Sequence, residues 1–208
     1  NYSIQETDKY LFNATLRYWQ NNNPRWDYHG ILYNVTDPSD KVEMIDKTKQ
    51  RTHRPALDLY YQMNLKNEQT LVFNLVGTYN KDESHRIYKE SREDLQLTDI
   101  DNYVSGNKYS IIGEAIYEKK LKNSNRISTG IRHNQAFSDN VYRNGNTYTT
   151  NMTQAETYLY GEFKGQCRKF DYTLGAGLSR YWFHQDGTSE AYQYYTFRPK
   201  FTLQYNLP

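Results

Sequence analysis

Five histidines, one cysteine and a handful of glutamates are the residues of this chain whose types could support acid–base, nucleophilic or metal chemistry. His29, His53, His85, His133 and His184 are far apart, form no H-E-x-x-H, and include no pair at helical spacing, so each reads as a surface or lumen side chain. Cys167 lies in an expected turn, Gly165-Gln166-Cys167-Arg168-Lys169, and a lone thiol in a turn reads as incidental. No G-x-S-x-G and no phosphate-cradling glycine loop occurs. Glu114, Glu118, Glu156 and Glu162 invite pairing as acid and base. They fall on alternating segments, however, where they would line a wet interior beside Arg17, Arg132, Arg198 and Lys200. The expectation is a protein with no catalytic residue, no metal and no cofactor, hence not an enzyme.

The elements that must carry these side chains are strands. Hydrophobic residues make up only 37% of the 208 positions and the mean hydropathy is -1.02, yet 22 residues are Tyr and 16% are aromatic. Disorder predicts few aromatics, and a helical membrane protein needs apolar runs of about 20 residues, of which there are none. A sheet that places an apolar residue at every second position reconciles the two figures. The balance of 26 basic and 24 acidic residues, net +2, gives no reason to expect nucleic acid as a partner. The single cysteine excludes an internal disulfide framework. No composition break divides residues 1–208, which are expected to form one domain. No charged-then-apolar leader opens the sequence, so it reads as mature or as cut from a longer chain.

Period two is clearest at the end, where Tyr195, Phe197, Pro199, Phe201, Leu203, Tyr205 and Leu207 alternate with Thr196, Arg198, Lys200, Thr202, Gln204 and Asn206. Similar stretches begin at Tyr10, Pro55, Leu71, Tyr109, Ala155 and Phe170, and a weaker one covers residues 126–137. Together they give about eight strands of an all-β, antiparallel up-and-down barrel or barrel segment. Leu57, Leu59, Phe73, Leu75, Leu159, Leu174, Phe201 and Leu203 should share one face, which we expect to point outward. Asp58, Asn74, Glu156, Glu162, Arg198 and Lys200 should share the other.

The connections alternate in length. Residues 64–69, 122–125 and 164–169 read as short turns, whereas 20–53, 81–108 and 138–148, with a lesser 185–190, read as long loops. Short turns at one end and long loops at the other is the arrangement of outer-membrane barrels, and it has the first strand run outward. Tyr109 with Tyr117, and Tyr195 with Tyr205, bracket apolar runs as interfacial girdles would. Tyr is also simply a good strand former with a polar tip. Trp26, Tyr28, His29, Tyr33, Tyr88, Tyr103 and Tyr142, all in the expected loops, are candidates to stack on an external ligand, although loops carry many residues without such a role.

Two runs, Glu156-Thr157-Tyr158-Leu159-Tyr160-Gly161-Glu162-Phe163-Lys164-Gly165 and Lys169-Phe170-Asp171-Tyr172-Thr173-Leu174-Gly175-Ala176-Gly177-Leu178, resemble barrel hairpins of Bacteroidetes-type TonB-dependent outer-membrane receptors. So do His53-Arg54-Pro55-Ala56-Leu57-Asp58-Leu59-Tyr60-Tyr61, Leu71-Val72-Phe73-Asn74-Leu75-Val76-Gly77-Thr78-Tyr79-Asn80 and the closing Phe197-Arg198-Pro199-Lys200-Phe201-Thr202-Leu203-Gln204-Tyr205. The resemblance is one of texture and hairpin spacing over nearly the whole chain. It implies an internal piece of a plugged barrel of about 22 strands, set in the outer membrane of a Gram-negative bacterium. Its partners would be outer-membrane lipid and, in the full-length protein, a plug domain and a TonB-type periplasmic protein. The function implied is a share in the uptake of an external ligand, with no transport by this stretch alone and with strand edges open to closure or self-association. Two other readings stay open on the alternation alone: a complete eight-stranded barrel with a structural or adhesive role, and a soluble lipocalin-like binder with its apolar face turned inward.

Overall fold

The computed structural model describes residues 1–187 and 191–206, apart from the side chains of residues 24 and 25. Leu207, assigned above to the last alternating segment, and residues 188–190 of the last connection lie outside the described residues.

The strands follow from alternation and are punctuated by residues that accept a left-handed backbone. Among the described residues nine strands form one sheet in sequence order: β1 (Tyr2–Glu6), β2 (Tyr10–Tyr33), β3 (Lys41–Leu65), β4 (Gln69–Arg92), β5 (Leu95–Lys120), β6 (Arg126–Asn144), β7 (Asn146–Cys167), β8 (Phe170–Gln185) and β9 (Tyr192–Tyr205). Every neighbouring pair is antiparallel. The turns are made where φ becomes positive, at Asn67 and Glu68, at Asn123 and Ser124, and at Gly145, which alone reverses the chain between Asn144 and Asn146. The fold is thus an up-and-down antiparallel barrel segment, and the sheet is open, with β1 and β9 at its edges. The ninth strand is β1, too short to show a period; it pairs only with residues 10–14 and leaves the rest of the β2 edge uncovered.

The expected long loops are corrected. Residues 20–53 are mostly the outer arms of β2 and β3, which stay paired up to Tyr33 and Lys41; residues 81–108 are arms of β4 and β5 closing at Arg92 and Leu95; residues 138–148 turn on Gly145. What distinguishes the two ends is the length of ladder beyond the apolar stretch, not loop length. In these arms apolar and polar residues mix without strict alternation, so no period marks them, yet the backbone groups still need partners and find them in the ladder.

Register sorts the two faces as alternation predicts. Leu59 lies across from Leu75, Ile131 from Leu159, Leu159 from Leu178 and Leu174 from Phe201, which puts the whole apolar set on one face. Asn74 opposes Glu114, Asn134 opposes Glu156, and Gly175 opposes both Glu162 and Lys200 on the other. Most buried positions belong to the polar face: Ser179 is 2% exposed, Ser128 and Ala136 are also covered, and Gly165, beneath the Tyr172 ring, is a buried position on the apolar face. On the apolar face Leu16 and Phe201 are 74% and 69% exposed. Crowding on one side and splaying on the other fit a sheet curled with its polar face inward, and the two are called inner and outer faces below.

The apolar stretch also slides along the sheet. Following the pairs from Tyr10, at the turn end of the stretch in β2, leads across seven strand steps to Pro199, whereas the stretch in β9 ends at Tyr205, six residues further. That offset corresponds to a strand tilt of roughly 30°, close to the tilt that closing a sheet into a barrel requires.

Candidate binding recess on the inner face

Within the apolar stretch the inner face is a charged lattice. Arg198 on β9 reaches across Gly177 to Glu156 on β7 at 2.8 Å, and its guanidinium lies 5.1 Å from the Tyr158 ring. Lys200 reaches across Gly175 to Glu162 at 2.7 Å. Asn74 donates to Glu114 at 3.0 Å, and Arg17 pairs with Asp58. Glu118 lies 3.5 Å from Arg126. Glycines make the crossings possible: a Cβ at Gly177 would meet the Tyr158 ring at 2.4 Å, and one at Gly130 would meet the Tyr160 ring at 2.6 Å. The glutamates that invited an acid–base reading are held by cations, donors or the turn-end arginine.

Where the apolar stretch gives way to the arms, small inner-face residues open a recess of about 540 Å³ across β3 to β8. Ser84, Gly106, Ala136 and Ser138 are the small residues that leave room, and Gln50, Asp82, Lys108, Asn140, Met152, Gln154 and Phe183 rise around them. Asp82 faces Arg54 at 3.5 Å, and Tyr181 donates to the Gln154 side chain at 3.4 Å. Lys108 has no carboxylate partner among the described residues, so its charge is available to a guest. Polar donors and acceptors dominate the lining, and Met152 and Phe183 add apolar edges. None of these residues was singled out from the sequence. The signal is the period-two run of small residues in segments with no apolar partner face, and it becomes readable only once register is known.

The seven stacking candidates all lie on strands, not in loops. Trp26, Tyr28, Tyr88 and Tyr142 point to the inner face, and His29, Tyr33 and Tyr103 to the outer. A β-bulge between Asn23 and Trp26 inverts the phase of β2; without it Trp26 and Tyr28 would share the face of Tyr18. Trp26 and Tyr28 border a second hollow, of about 930 Å³, with Asp46, Thr48 and the same Gln50 that lines the first. Three of the other aromatics are engaged by cations of the arms: Arg86 lies 5.2 Å from the Tyr88 ring, Arg143 5.4 Å from Tyr103, and Lys41 5.7 Å from Tyr33.

The arms are held by ion pairs. Arg86 grips Asp46 through two bonds of 3.0 and 2.6 Å and holds its carboxyl below the usual aspartate range, against the opposing effect of desolvation. Glu90 is lowered likewise by donation from the Tyr88 and Thr98 hydroxyls. His85 meets Asp101 at 2.7 Å, Lys89 meets Asp99 at 3.3 Å, and Arg92 meets Asp40 at 2.9 Å.

No protein-family model matches the sequence, and no curated protein is detectably similar to it. Among solved structures, the chain is similar to BauA, the ferric preacinetobactin receptor from Acinetobacter baumannii, at 6% identity and a TM-score of 0.60, over 99% of this chain and 39% of the receptor. A weaker likeness is to FauA, the alcaligin outer-membrane receptor from Bordetella pertussis, at 11% identity and a TM-score of 0.38, over 95% of this chain and 41% of that one. The chain therefore spans well under half the length of either receptor, and it shares with BauA the fold of a stretch of that structure.

Proposed function

We propose that this chain is part of the barrel wall of a TonB-dependent outer-membrane receptor of a Gram-negative bacterium and that its inner-face recess contributes to binding an external ligand during uptake. The observation that carries the reading is the uncovered outer face. Large side chains such as Leu16, Phe197, Phe201, Leu159 and Leu174 form an apolar belt with no protein layer over it among the described residues. Soluble monomers rarely expose a contiguous apolar patch above a few hundred Å², so a hydrocarbon environment accounts for it. Aromatics border the belt: Tyr79 and Tyr109 stack at 4.8 Å at the arm end, and Tyr10, Tyr61 and Phe73 succeed one another at 6.3 and 6.5 Å at the turn end. The sheared belt and the likeness to BauA support the same reading.

In this reading the turn end faces the periplasm and the arms project outside the cell. The recess, at the base of the arms, would lie on the path of an incoming ligand, with Lys108 for a negative or oxygen-rich group and Phe183 and Met152 for an apolar edge. The plug and the energy-transducing periplasmic partner are proposed for the whole receptor, and no catalysis is proposed for this stretch. A lipocalin-like barrel would bury the apolar face, the opposite of the exposure described. A self-contained small barrel would need β1 and β9 to meet, and the sheet leaves both as edges. The test is fractionation of cells producing the protein. Recovery in the outer-membrane fraction, released only by detergent, supports the reading; recovery as a soluble monomer overturns it.

A further inference from the structure

The outer face is not apolar throughout. On β6, β7 and β8, Gln135, His133, Thr157, Arg180, Ala155 and Trp182 enclose a recess of about 310 Å³. All six belong to the face of Leu159 and Leu178, because Trp182 pairs with Ala155 and Ala155 with Gln135, while Arg180 pairs with Thr157 and Thr157 with His133. Arg180 donates to the neutral Gln193 side chain at 3.1 Å and has no carboxylate partner among the described residues. No acid lies on this face of β8; Asp186, just beyond the end of the strand and six residues further out, is engaged by Asn151 at 2.9 Å and His184 at 3.7 Å. His133 Nδ1 is bonded to the Thr157 hydroxyl at 2.8 Å, which leaves Nε2 for a guest. An arginine on a lipid-facing surface is costly at mid-depth and nearly free at the interface. The slope of the belt sets its depth: Arg180 pairs with Tyr195, the aromatic that ends the apolar stretch of β9 at the arm end.

We infer that this recess holds the negatively charged phosphate of a lipid headgroup in the outer leaflet, with Arg180 as its charge partner. His133 Nε2 is the second donor, Gln135, whose amide donates to the Gln154 carbonyl at 3.2 Å, walls the recess, and Trp182 packs beside the headgroup at interface depth. The inference rests on the outer face meeting lipid, as proposed above. A headgroup phosphate bound there recovers the desolvation cost of an unpaired guanidinium and fixes the rotation of the barrel wall against its nearest lipids.

The experiment uses the protein in nanodiscs of phosphatidylcholine containing a minor fraction of phosphatidylglycerol, with co-purified lipid counted by mass spectrometry after extraction into mild detergent. The wild type should retain phosphatidylglycerol over phosphatidylcholine about fivefold, the factor for one cation beside an anionic headgroup. Arg180→Gln should abolish the preference and Arg180→Lys should keep most of it, with heat-modifiable gel mobility confirming that each variant is folded. Inorganic phosphate in excess should not displace the lipid. Absence of a preference, a preference that survives Arg180→Gln, or displacement by inorganic phosphate overturns the assignment. A protein that never enters the nanodisc refutes the membrane reading itself.

Discussion

The belt and the arms are two halves of the same strands, paired by one unbroken ladder, yet they are held together by different physics. In the belt, apolar side chains alternate strictly, and the inner face is tied by charges that cross whole strands, such as Arg198 to Glu156. In the arms apolar residues such as Trp26, Ile31 and Leu97 are scattered among polar ones with no continuous apolar face, and the strands are held by backbone pairing plus ion pairs such as Asp46 with Arg86 and Lys89 with Asp99. A sheet needs its ladder everywhere, but it needs an apolar face only where the surroundings are apolar. In the proposed reading, the change from one regime to the other, near Tyr79 and Tyr109, marks a change of solvent.

The largest expected effect sets two positions on one strand and one face against each other. Leu159 and Thr149 both lie on the outer face of β7, and both are exposed. In water, arginine at either would be nearly neutral. With Leu159 in hydrocarbon, Leu159→Arg should cost about 2–4 kcal/mol, whereas Thr149→Arg should stay within about 0.5 kcal/mol. Reversible unfolding in lipid or detergent micelles checks both, and equal effects would erase the distinction between belt and arms.

Next in size is steric crowding inside the belt. Gly130→Ala drives a Cβ into the Tyr160 ring, which is already stacked on Tyr158 at 5.2 Å, and should cost about 1–3 kcal/mol. Gly161→Ala, with no atom within 4 Å, should cost well under 1 kcal/mol. The same unfolding measurement separates them.

The smallest effects belong to the arms. Asp46→Asn removes a partly exposed pair and should cost less than about 1 kcal/mol, felt only locally and reduced by salt. Because Arg86 lowers the folded pKa of Asp46, the stabilisation is complete above the unfolded value of about 4 and is lost as pH falls through the folded one. Hydrogen exchange should therefore show the amides of residues 41–50 and 84–92 opening more readily below pH 4 while those of the belt keep their protection.

Which parts of this were readable in the sequence follows from the same division. The eight alternating segments and the membership of both faces were legible, because period two survives wherever one face meets an apolar medium. Even the weak segment 126–137 has a reason: on β6 the outer positions His133 and Gln135 belong to the polar recess and not to the belt. The arms were misread as loops, since residues such as Lys81, Asp82, Glu83 and Ser84 carry no period although every one of them is paired. β1 is too short to establish a period, and the bulge that turns Trp26 and Tyr28 inward was signalled only by Pro24. The inner recess was invisible, because it is defined by small residues brought level by register across six strands.

The most direct test of the central claim, that the belt alone meets lipid, is a spin-label scan of β7 in a Cys167→Ser background, with the protein in lipid bilayers. Single labels from 147 to 163 would be compared for collision with oxygen, which concentrates in hydrocarbon, and with a water-soluble nickel chelate. High oxygen access should appear at 159, 161 and 163, low access at the even positions between them, intermediate access to both reagents at 155 and 157 beside the interfacial recess, and no oxygen-favouring alternation from 147 to 153. Uniform nickel access along the strand, or oxygen maxima at the even positions, would contradict the account.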